Sequence, residues 1–155
     1  MCGIAGLIKP FQNRSGFDFG GVAQHMAAAL AHRGPDDLGT WVNVNDGIGL
    51  SHSRLSVIDT SESGHQPMVS ASGRFVMGFN GELYNFRALR ADLERSGYPF
   101  SGESDTEVAL ASVEFHGLEN AVERFVGMFA FYVWDRDEKC LFLICDRFGE
   151  KPLYY

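Results

Sequence analysis

The order of apolar and polar residues along the chain predicts alternating strands and helices. Residues 2–8, CGIAGLI, form a short apolar run that is typical of a buried strand. Residues 21–37 are predicted to contain a helix that ends at the breaker pair Gly34-Pro35. Its apolar residues recur at helical spacing and are Val22, Met26, Ala27 and Leu30.

The middle of the chain changes to the pattern of antiparallel strands. Residues 39–44, 47–59 and 73–81 are rich in strand-forming side chains. They are separated by turn residues such as Asn45-Asp46-Gly47 and Ser72-Gly73. These turns indicate hairpins between neighbouring strands.

Three helices are predicted next, over residues 85–97, 104–117 and 118–127. In the first two helices the apolar residues lie on one side: Phe86, Leu89 and Leu93, then Val108, Leu110, Ala111 and Phe115. Either Ser104 or Asp105 can cap the start of the second helix, because both side chains accept a backbone hydrogen bond there.

The last predicted elements are two apolar strands, residues 128–135 and 140–146, joined by the polar turn RDEK. Both strands are expected to be largely buried, with Cys140 and Cys145 as small core residues. Strands grouped between helices predict an α+β fold in one domain, with mainly antiparallel sheets stacked between helical layers.

Composition narrows the classes of function. The chain has 155 residues, a net charge of −7 and no basic run, which excludes the usual basis of nucleic-acid binding. No apolar stretch approaches the length of a membrane span, and no signal peptide is evident, so a cytoplasmic protein is expected. The cysteines and histidines do not match zinc-ligand spacing, so no metal site is predicted.

Cys2 is the first residue that suggests chemistry. It is either a small buried residue near the chain start or a nucleophile at the chain end. Removal of Met1 would leave a thiol and a free α-amine on one residue. The amine could then take the proton of the thiol and return it to a leaving group, so that no histidine is needed.

Eight motifs occur in order: CGIAG, HRGPD, SHSRLSVID, HQPM, FNGELYN, SDTEVAL, GMFAFYVWD and DRFGEKPLYY. Together they resemble the N-terminal glutaminase domain of glutamine-hydrolysing asparagine synthetases. That domain is a class II glutamine amidotransferase of the N-terminal-nucleophile hydrolase superfamily. The resemblance covers essentially the whole chain and implies a four-layer α-β-β-α sandwich.

The resemblance implies a role for three residues in the chemical step. Cys2 corresponds to the nucleophile, which forms a γ-glutamyl thioester with glutamine. The side-chain amide of Asn80 and the backbone N–H of Gly81 correspond to the donors that stabilise the oxyanion. From the residues alone, a type I′ hairpin turn at Asn80-Gly81 is an equal alternative.

The resemblance also implies a set of glutamine-binding residues. Arg54 would pair with the α-carboxylate, and Asp105, with Glu82 beside it, would receive the α-ammonium. The same wall of the pocket would be lined by Leu55, Ser56, Val57 and Ile58. The alternatives are an exposed strand arginine at position 54 and a helix cap at position 105. The HRGPDD loop is expected near the site, with no catalytic role assigned to its charged residues.

The implied reaction is hydrolysis of glutamine to glutamate and ammonia, without a cofactor in this domain. In the family, ammonia passes to a C-terminal synthetase domain that uses ATP and magnesium to convert aspartate to asparagine. Residues 151–155 look like the start of another strand, so the chain is expected to be the front piece of a longer protein.

Two alternatives to this function stay open at the level of the sequence. The first is the same domain acting for another ammonia acceptor, such as a sugar, a peptidoglycan precursor or an antibiotic precursor. The second is a catalytically silent structural or regulatory domain, as expected if Met1 stays in place. A homodimer is likewise left open.

Overall fold

A computed structural model describes residues 1–9 and 15–155 of the chain. Seven strands and four α-helices are formed within these ranges. The strands are β1 (Gly3–Ile8), β2 (Asp37–Asn43), β3 (Ile48–Arg54), β4 (Met68–Val69), β5 (Phe75–Leu83), β6 (Gly127–Asp135) and β7 (Cys140–Cys145), and the helices are α1 (Phe19–Ala29), α2 (Phe86–Arg95), α3 (Asp105–His116) and α4 (Leu118–Arg124).

The strands form two antiparallel sheets, as the turn residues between them predict. The first sheet has the order β1-β3-β2 and the second has the order β4-β5-β6-β7. The run predicted as one strand over residues 47–59 ends at Arg54 and continues as a loop. This loop, residues 55–66, carries much of the candidate site described below.

The two sheets face each other, and helices cover their outer faces, so the predicted four-layer α-β-β-α order is confirmed. Helix α1 packs on β2 and β3, whereas α2 and α3 lie on the opposite side of the molecule, against the second sheet. Between the sheets lies a small cluster formed by Ile48, Leu50, Val76, Tyr132 and Trp134.

A larger apolar core lies between the second sheet and helices α2, α3 and α4. Four of its phenylalanine rings contact one another: Phe79, Phe125, Phe129 and Phe131. Each is at most 2% exposed, and burial of a side chain of this size contributes about 1.5–3 kcal/mol. This core holds β5 and α3 together, and these two elements carry candidate site residues.

Helix α1 buries a different face from the one predicted. Its buried residues are Phe19, Ala23 and Ala27, whereas Val22 and Met26 are only partly buried. The small alanines let the helix approach β3 closely, and the Ser51 hydroxyl donates a 2.7 Å hydrogen bond to the Ala23 carbonyl. The helix also ends at Ala29, before the predicted breaker pair.

The prediction that both final strands are buried is wrong for β7. Cys140 and Cys145 are exposed, as are Phe142 and Leu143. Among the described strands, β7 is the edge of its sheet and pairs with β6 alone, so apolar composition by itself does not bury it. Strand β6, which lies between two strands, is buried as predicted.

Helix α3 begins with a well-formed cap. The Ser104 side chain accepts a 3.1 Å hydrogen bond from the Glu107 backbone N–H, so Ser104 is the cap and Asp105 is the first helical residue. Most of the helix is buried, although Phe115 at its end is half exposed. Among the helices that the structure describes, none combines the length and apolar character required to cross a bilayer.

Candidate active site

A cleft opens where the start of β1, the end of β5 and the start of α3 meet. Nearly all the residues singled out from the sequence border it, namely Cys2, Arg54, Leu55, Val57, Ile58, Asn80, Gly81, Glu82 and Asp105. Ser56 is the exception, because it borders the neighbouring groove instead. The fold therefore brings together residues from both ends of the motif series.

The Cys2 sulfur lies beside the loop that follows β3. The Leu55 backbone N–H donates a hydrogen bond to Sγ over 3.4 Å. The following residue must be glycine, because a Cβ atom on Gly3 would lie 2.6 Å from the Ser53 Oγ atom. Close packing of β1 against β3 thus holds the start of the chain at the cleft.

The HRGPDD loop supports this arrangement, although the sequence assigned it no catalytic role. The Arg33 Nε atom donates a 3.0 Å hydrogen bond to the Cys2 carbonyl. The Asp36 carboxylate accepts a 2.8 Å hydrogen bond from the Ser56 backbone N–H. One loop therefore orients both the Cys2 backbone and the segment beside it, and its presence among the family-like motifs is the only sequence signal for this role.

Asn80 and Gly81 lie within β5, so the hairpin-turn alternative is wrong. Hydrogen bonds to the segments that flank β6 continue past both ends of the β5–β6 pairing. The Arg136 N–H donates to the Arg74 carbonyl, and the Tyr84 N–H donates to the Val126 carbonyl, so the even-numbered residues on the β5 side bond to the β6 side. Because hydrogen-bonding direction alternates along an antiparallel strand, odd-numbered residues of β5 point their N–H groups away from β6.

The neighbours of Gly81 confirm this direction. The Phe79 N–H donates to the Gln66 side chain over 2.7 Å, and the Leu83 N–H donates to the Asp105 carboxylate over 2.9 Å. The Gly81 N–H lies between them on the same edge of β5, beside the cleft. Its position suits a donor to an oxyanion.

Glycine is required at position 81 because β6 lies directly against it. A Cβ atom there would lie 2.2 Å from the Met128 carbonyl oxygen and 2.6 Å from the Phe129 Cα atom. The backbone of β6 therefore excludes any side chain. The close strand pairing keeps the amide of this residue in place.

The Asn80 side chain lies on the face of β5 that looks toward the first sheet. Val76 on the same face belongs to the cluster between the sheets, whereas Phe79 belongs to the core on the helical side. Asn80 is 5% exposed, and within the described part of the chain its carboxamide has no hydrogen-bonding partner. Its N–H groups are therefore available to a ligand in the cleft.

Arg54 is not an exposed strand arginine, because only 7% of the residue is exposed. Its Nη1 atom donates a 2.9 Å hydrogen bond to the Ser61 carbonyl, and Nη2 donates to the Asp59 carbonyl. A Cβ atom on Gly64 would overlap the guanidinium. The loop thus encircles the guanidinium but leaves three of its five N–H groups for other partners.

Asp105 combines burial with a link to β5. It is 7% exposed, and its carboxylate accepts the Leu83 N–H described above. Burial raises the pKa of Asp105, and the nearby Glu82 carboxylate raises it further, whereas hydrogen bonds from Leu83 and Thr106 oppose the shift. Burial disfavours the charged form of this carboxylate, so a cationic group that binds beside it stabilises the charge.

A buried polar network that no sequence motif indicated lies behind the cleft. His52 is fully buried between the sheets, and its Nε2 atom lies 3.1 Å from the Phe79 carbonyl. Gln66 accepts the Phe79 N–H and donates a 3.2 Å hydrogen bond to the Thr106 hydroxyl. The backbone N–H and the backbone carbonyl of Phe79 are therefore both hydrogen-bonded. Phe79 directly precedes the two candidate oxyanion donors.

The protonation state of His52 follows from its surroundings. Burial lowers the pKa of His52 to about 4, against opposing contributions from the Phe79 carbonyl and Asp37. The imidazole is therefore neutral near pH 7. Since the carbonyl can only accept, the proton lies on Nε2, and Nδ1 is left without a partner among the described residues.

This shift predicts a loss of stability in mild acid. The ordinary histidine pKa of 6.5 applies to the unfolded chain, which therefore binds a proton at higher pH than the folded chain does. Above about pH 6.5 this group has no effect on the free energy of unfolding. Below it, stability falls toward pH 4 with a slope of up to about 1.4 kcal/mol per pH unit.

Urea unfolding at several pH values between 7 and 4.5 measures this slope. His52→Gln should flatten it, whereas His25→Gln, which replaces an exposed histidine on α1, should leave it unchanged. Equal slopes for the two variants would contradict the assignment.

Acidic residues near the cleft do not assemble into a metal centre. His65 lies 2.7 Å from the Asp37 carboxylate, in the groove beside the cleft. Across residues 1–9 and 15–155, no three His, Cys, Asp or Glu side chains converge closely enough to hold a metal ion.

Comparisons with curated proteins show which enzymes the chain is similar to. The chain is 39% identical over 155 residues to glutamine-hydrolyzing asparagine synthetase 1 of Bacillus subtilis (strain 168), covering 100% of the chain and 24% of that protein. It is also 39% identical over 162 residues to amidase chry2 of Gibberella zeae, covering 100% of the chain and 24% of that protein. The chain thus spans about a quarter of the length of these relatives.

A solved structure and a family model complete the comparison. The glutamine phosphoribosylpyrophosphate amidotransferase from B. subtilis, solved with ADP and GMP, matches with a TM-score of 0.54 and 22% identity, over 64% of this chain and 23% of that one. This likeness concerns the fold. A family model described as a glutamine amidotransferase domain matches residues 1–155. Because that match includes every residue of the chain, the protein belongs to the family of glutamine amidotransferase domains and is homologous to those of asparagine synthetases.

Proposed function

We propose that this domain hydrolyses L-glutamine to glutamate and ammonia through a γ-glutamyl thioester on Cys2. The observation that carries the proposal is the shared cleft, where a thiol, two unengaged donors on β5, a guanidinium and a buried carboxylate meet. Glutamine offers a matching group to each of them. Membership of the amidotransferase family supports glutamine as the substrate.

The chemistry begins once Met1 has been removed. The free α-amine of Cys2 takes the thiol proton, and the sulfur attacks the side-chain amide carbon of glutamine. The oxyanion that forms accepts hydrogen bonds from the Asn80 side chain and the Gly81 N–H. One such donor is worth about 2.7–4 kcal/mol in the transition state.

The tetrahedral intermediate then collapses. The C–N bond breaks, and the α-ammonium of Cys2 returns its proton to the departing ammonia, leaving the thioester. Water, activated by the same amine, attacks the thioester carbonyl. Release of glutamate restores the thiol and the amine, so protons and electrons balance over the cycle.

Recognition of the free amino acid is assigned to the two charged ends of the cleft. Arg54 pairs with the α-carboxylate, and Asp105 with Glu82 receives the α-ammonium. Leu55, Val57 and Ile58 border the space beside them. Since both α-groups are engaged, a peptide-bound glutamine, which lacks one of these charges or both, is a poor substrate.

The activity of the whole protein is a further proposal, because the chain spans 24% of the length of its relatives. Ammonia would pass to a C-terminal synthetase domain, where ATP and magnesium activate aspartate. No residue of the chain is assigned to ATP or magnesium. Another ammonia acceptor is the second candidate, since amidase chry2 matches the chain at the same identity as the asparagine synthetase.

The state of Met1 provides the test. Met1 borders the cleft, and its sulfur accepts a hydrogen bond from the Lys151 ammonium, so its removal both frees the amine and clears the site. Protein whose intact mass shows loss of Met1 should release glutamate from glutamine. A matched chain with leucine inserted after Met1 keeps its methionine and should be inactive. Equal turnover by the two chains, or none by the processed chain, would contradict the proposal.

A further inference from the structure

The loop that encircles Arg54 is tied to the start of α3 by one buried carboxylate. We propose that Asp59 is a positioning residue that sets the distance between Arg54 and Asp105, and thereby the fit of the cleft to an α-amino acid. This inference rests on the proposed function and refines it.

The two carboxylate oxygens of Asp59 serve different parts of the chain. Oδ1 accepts a 2.8 Å hydrogen bond from the Ser61 backbone N–H and a 2.6 Å hydrogen bond from the Ser61 hydroxyl. Oδ2 accepts a 2.9 Å hydrogen bond from the Glu103 backbone N–H. Only 8% of the residue is exposed. The side chain thus links the loop to the segment before α3.

The bonds to Oδ1 shape the loop around the guanidinium. They close a tight turn, and the carbonyls of Asp59 and Ser61 within it both accept N–H groups of Arg54. A change in this turn would move the two acceptors that orient the guanidinium. The orientation of the carboxylate-binding group therefore depends on Asp59.

The hydrogen bond to Oδ2 fixes the segment that precedes α3. Glu103 directly precedes the cap Ser104, which is followed by Asp105. The contact is tight, because a Cβ atom on Gly102 would lie 2.9 Å from Oδ2 and 2.8 Å from the Ser63 Cβ atom. The loop and the helix therefore have little room to move relative to each other, so the positions of Arg54 and Asp105 are coupled.

The charge of Asp59 is consistent with this role. The Ser61 hydroxyl and the Glu103 N–H hold the pKa of the carboxyl below its ordinary value, and the nearby Arg54 adds to the effect. At neutral pH the side chain is an anion with hydrogen bonds on both oxygens. It borders the cleft, yet its oxygens are engaged by the protein, which indicates positioning and not direct catalysis.

Asp59→Asn tests the proposal, because the amide keeps the size of the side chain but replaces one acceptor oxygen with a donor. The KM for glutamine should rise by about 10- to 100-fold, the scale of a lost hydrogen bond to a charged group, while kcat changes little. The rate of Cys2 alkylation by iodoacetamide should stay unchanged, because that reagent needs no recognition of α-groups.

A coupling measurement separates positioning from a general structural effect. In an Arg54→Ala background, Asp59→Asn should add little further increase in KM, since the guanidinium that it orients is gone. Ser61→Ala removes only one of the three hydrogen bonds and should raise KM in the same direction but by less. This milder variant keeps the test valid if Asp59→Asn unfolds.

Asp46→Asn is the matched control. That carboxylate accepts hydrogen bonds from Asn43 and Lys139 near the β2–β3 turn and is likewise little exposed, but it does not border the cleft. The KM of Asp46→Asn for glutamine should equal that of the unmodified domain. The proposal is overturned if Asp59→Asn matches Asp46→Asn, if kcat alone falls, or if the effects of Asp59→Asn and Arg54→Ala are additive. An unmodified processed domain without glutaminase activity would instead contradict the proposed function.

Discussion

Replacement of Cys2 by alanine is expected to abolish glutamate release from glutamine. The proposed reaction loses the thiol that attacks the amide, and water attacking the amide directly gains nothing from the thioester route. Loss of a hydrolase nucleophile typically reduces kcat by about 10⁴-fold or more. A coupled glutamate assay on protein of verified mass measures the effect, since alanine after Met1 still permits removal of the methionine.

The other two cysteines provide controls for this variant. Cys140 and Cys145 are exposed on β7, the last strand in the order of its sheet, and neither borders the cleft. Cys140→Ala and Cys145→Ala should retain full activity. If Cys2→Ala turned over glutamine at the rate of these controls, another group would be the nucleophile and the thioester proposal would fail.

Replacement of Asn80 by alanine should have the second-largest effect. The side-chain amide is assigned to the oxyanion, which exists only in the transition state and the tetrahedral intermediate. We therefore expect kcat to fall by about 10²- to 10³-fold with little change in KM. The hydrogen-bonding pattern of β5 predicts that Gly81 still donates its N–H, which explains why some activity should survive.

Two variants sharpen this test by steady-state kinetics. Asn80→Asp keeps the shape of the side chain but places an anion beside the oxyanion, so kcat should fall below that of Asn80→Ala. Asn120→Ala, which removes an exposed asparagine on α4, should leave both constants unchanged. An increase in KM without loss of kcat in Asn80→Ala would assign the side chain to glutamine binding instead.

The residues of the candidate site are held by rigid parts of the fold. Cys2 lies just before the first strand, yet Arg33 and Leu55 bind its backbone and its sulfur. The proposed oxyanion donors belong to a strand in the middle of the second sheet. Groups that must meet a developing charge are therefore carried by elements with little freedom to move, as electrostatic stabilisation of a transition state requires.

Much of the fold and the site could be predicted from local sequence. Apolar spacing correctly placed α2, whose Leu89 and Leu93 are buried, and the turn residues before β3 correctly indicated a hairpin. These features depend on neighbours in sequence, so the chain alone carries them. Cys2, Arg54, Asn80 and Asp105 were likewise named from motifs, and all four border one cleft.

Only the tertiary structure decided which apolar segments are buried and which polar groups support the site. Strand β7 has the composition of a core strand but lies at an edge, and α1 buries Ala23 and Ala27 more fully than Val22 and Met26. The sequence allowed a turn at Asn80-Gly81, whereas pairing with β6 extends β5 through it. Pairing partners far away in sequence determine each of these outcomes.

The same reason explains the residues that sequence analysis did not assign. His52 and Asp59 form hydrogen bonds to Phe79 and Glu103, which are distant in sequence. No local pattern marks such a contact, because burial and partner are fixed only when the sheets stack and α3 docks. The sequence by itself determined which groups are candidates for the chemistry, and the packing of distant segments determined how those groups are held.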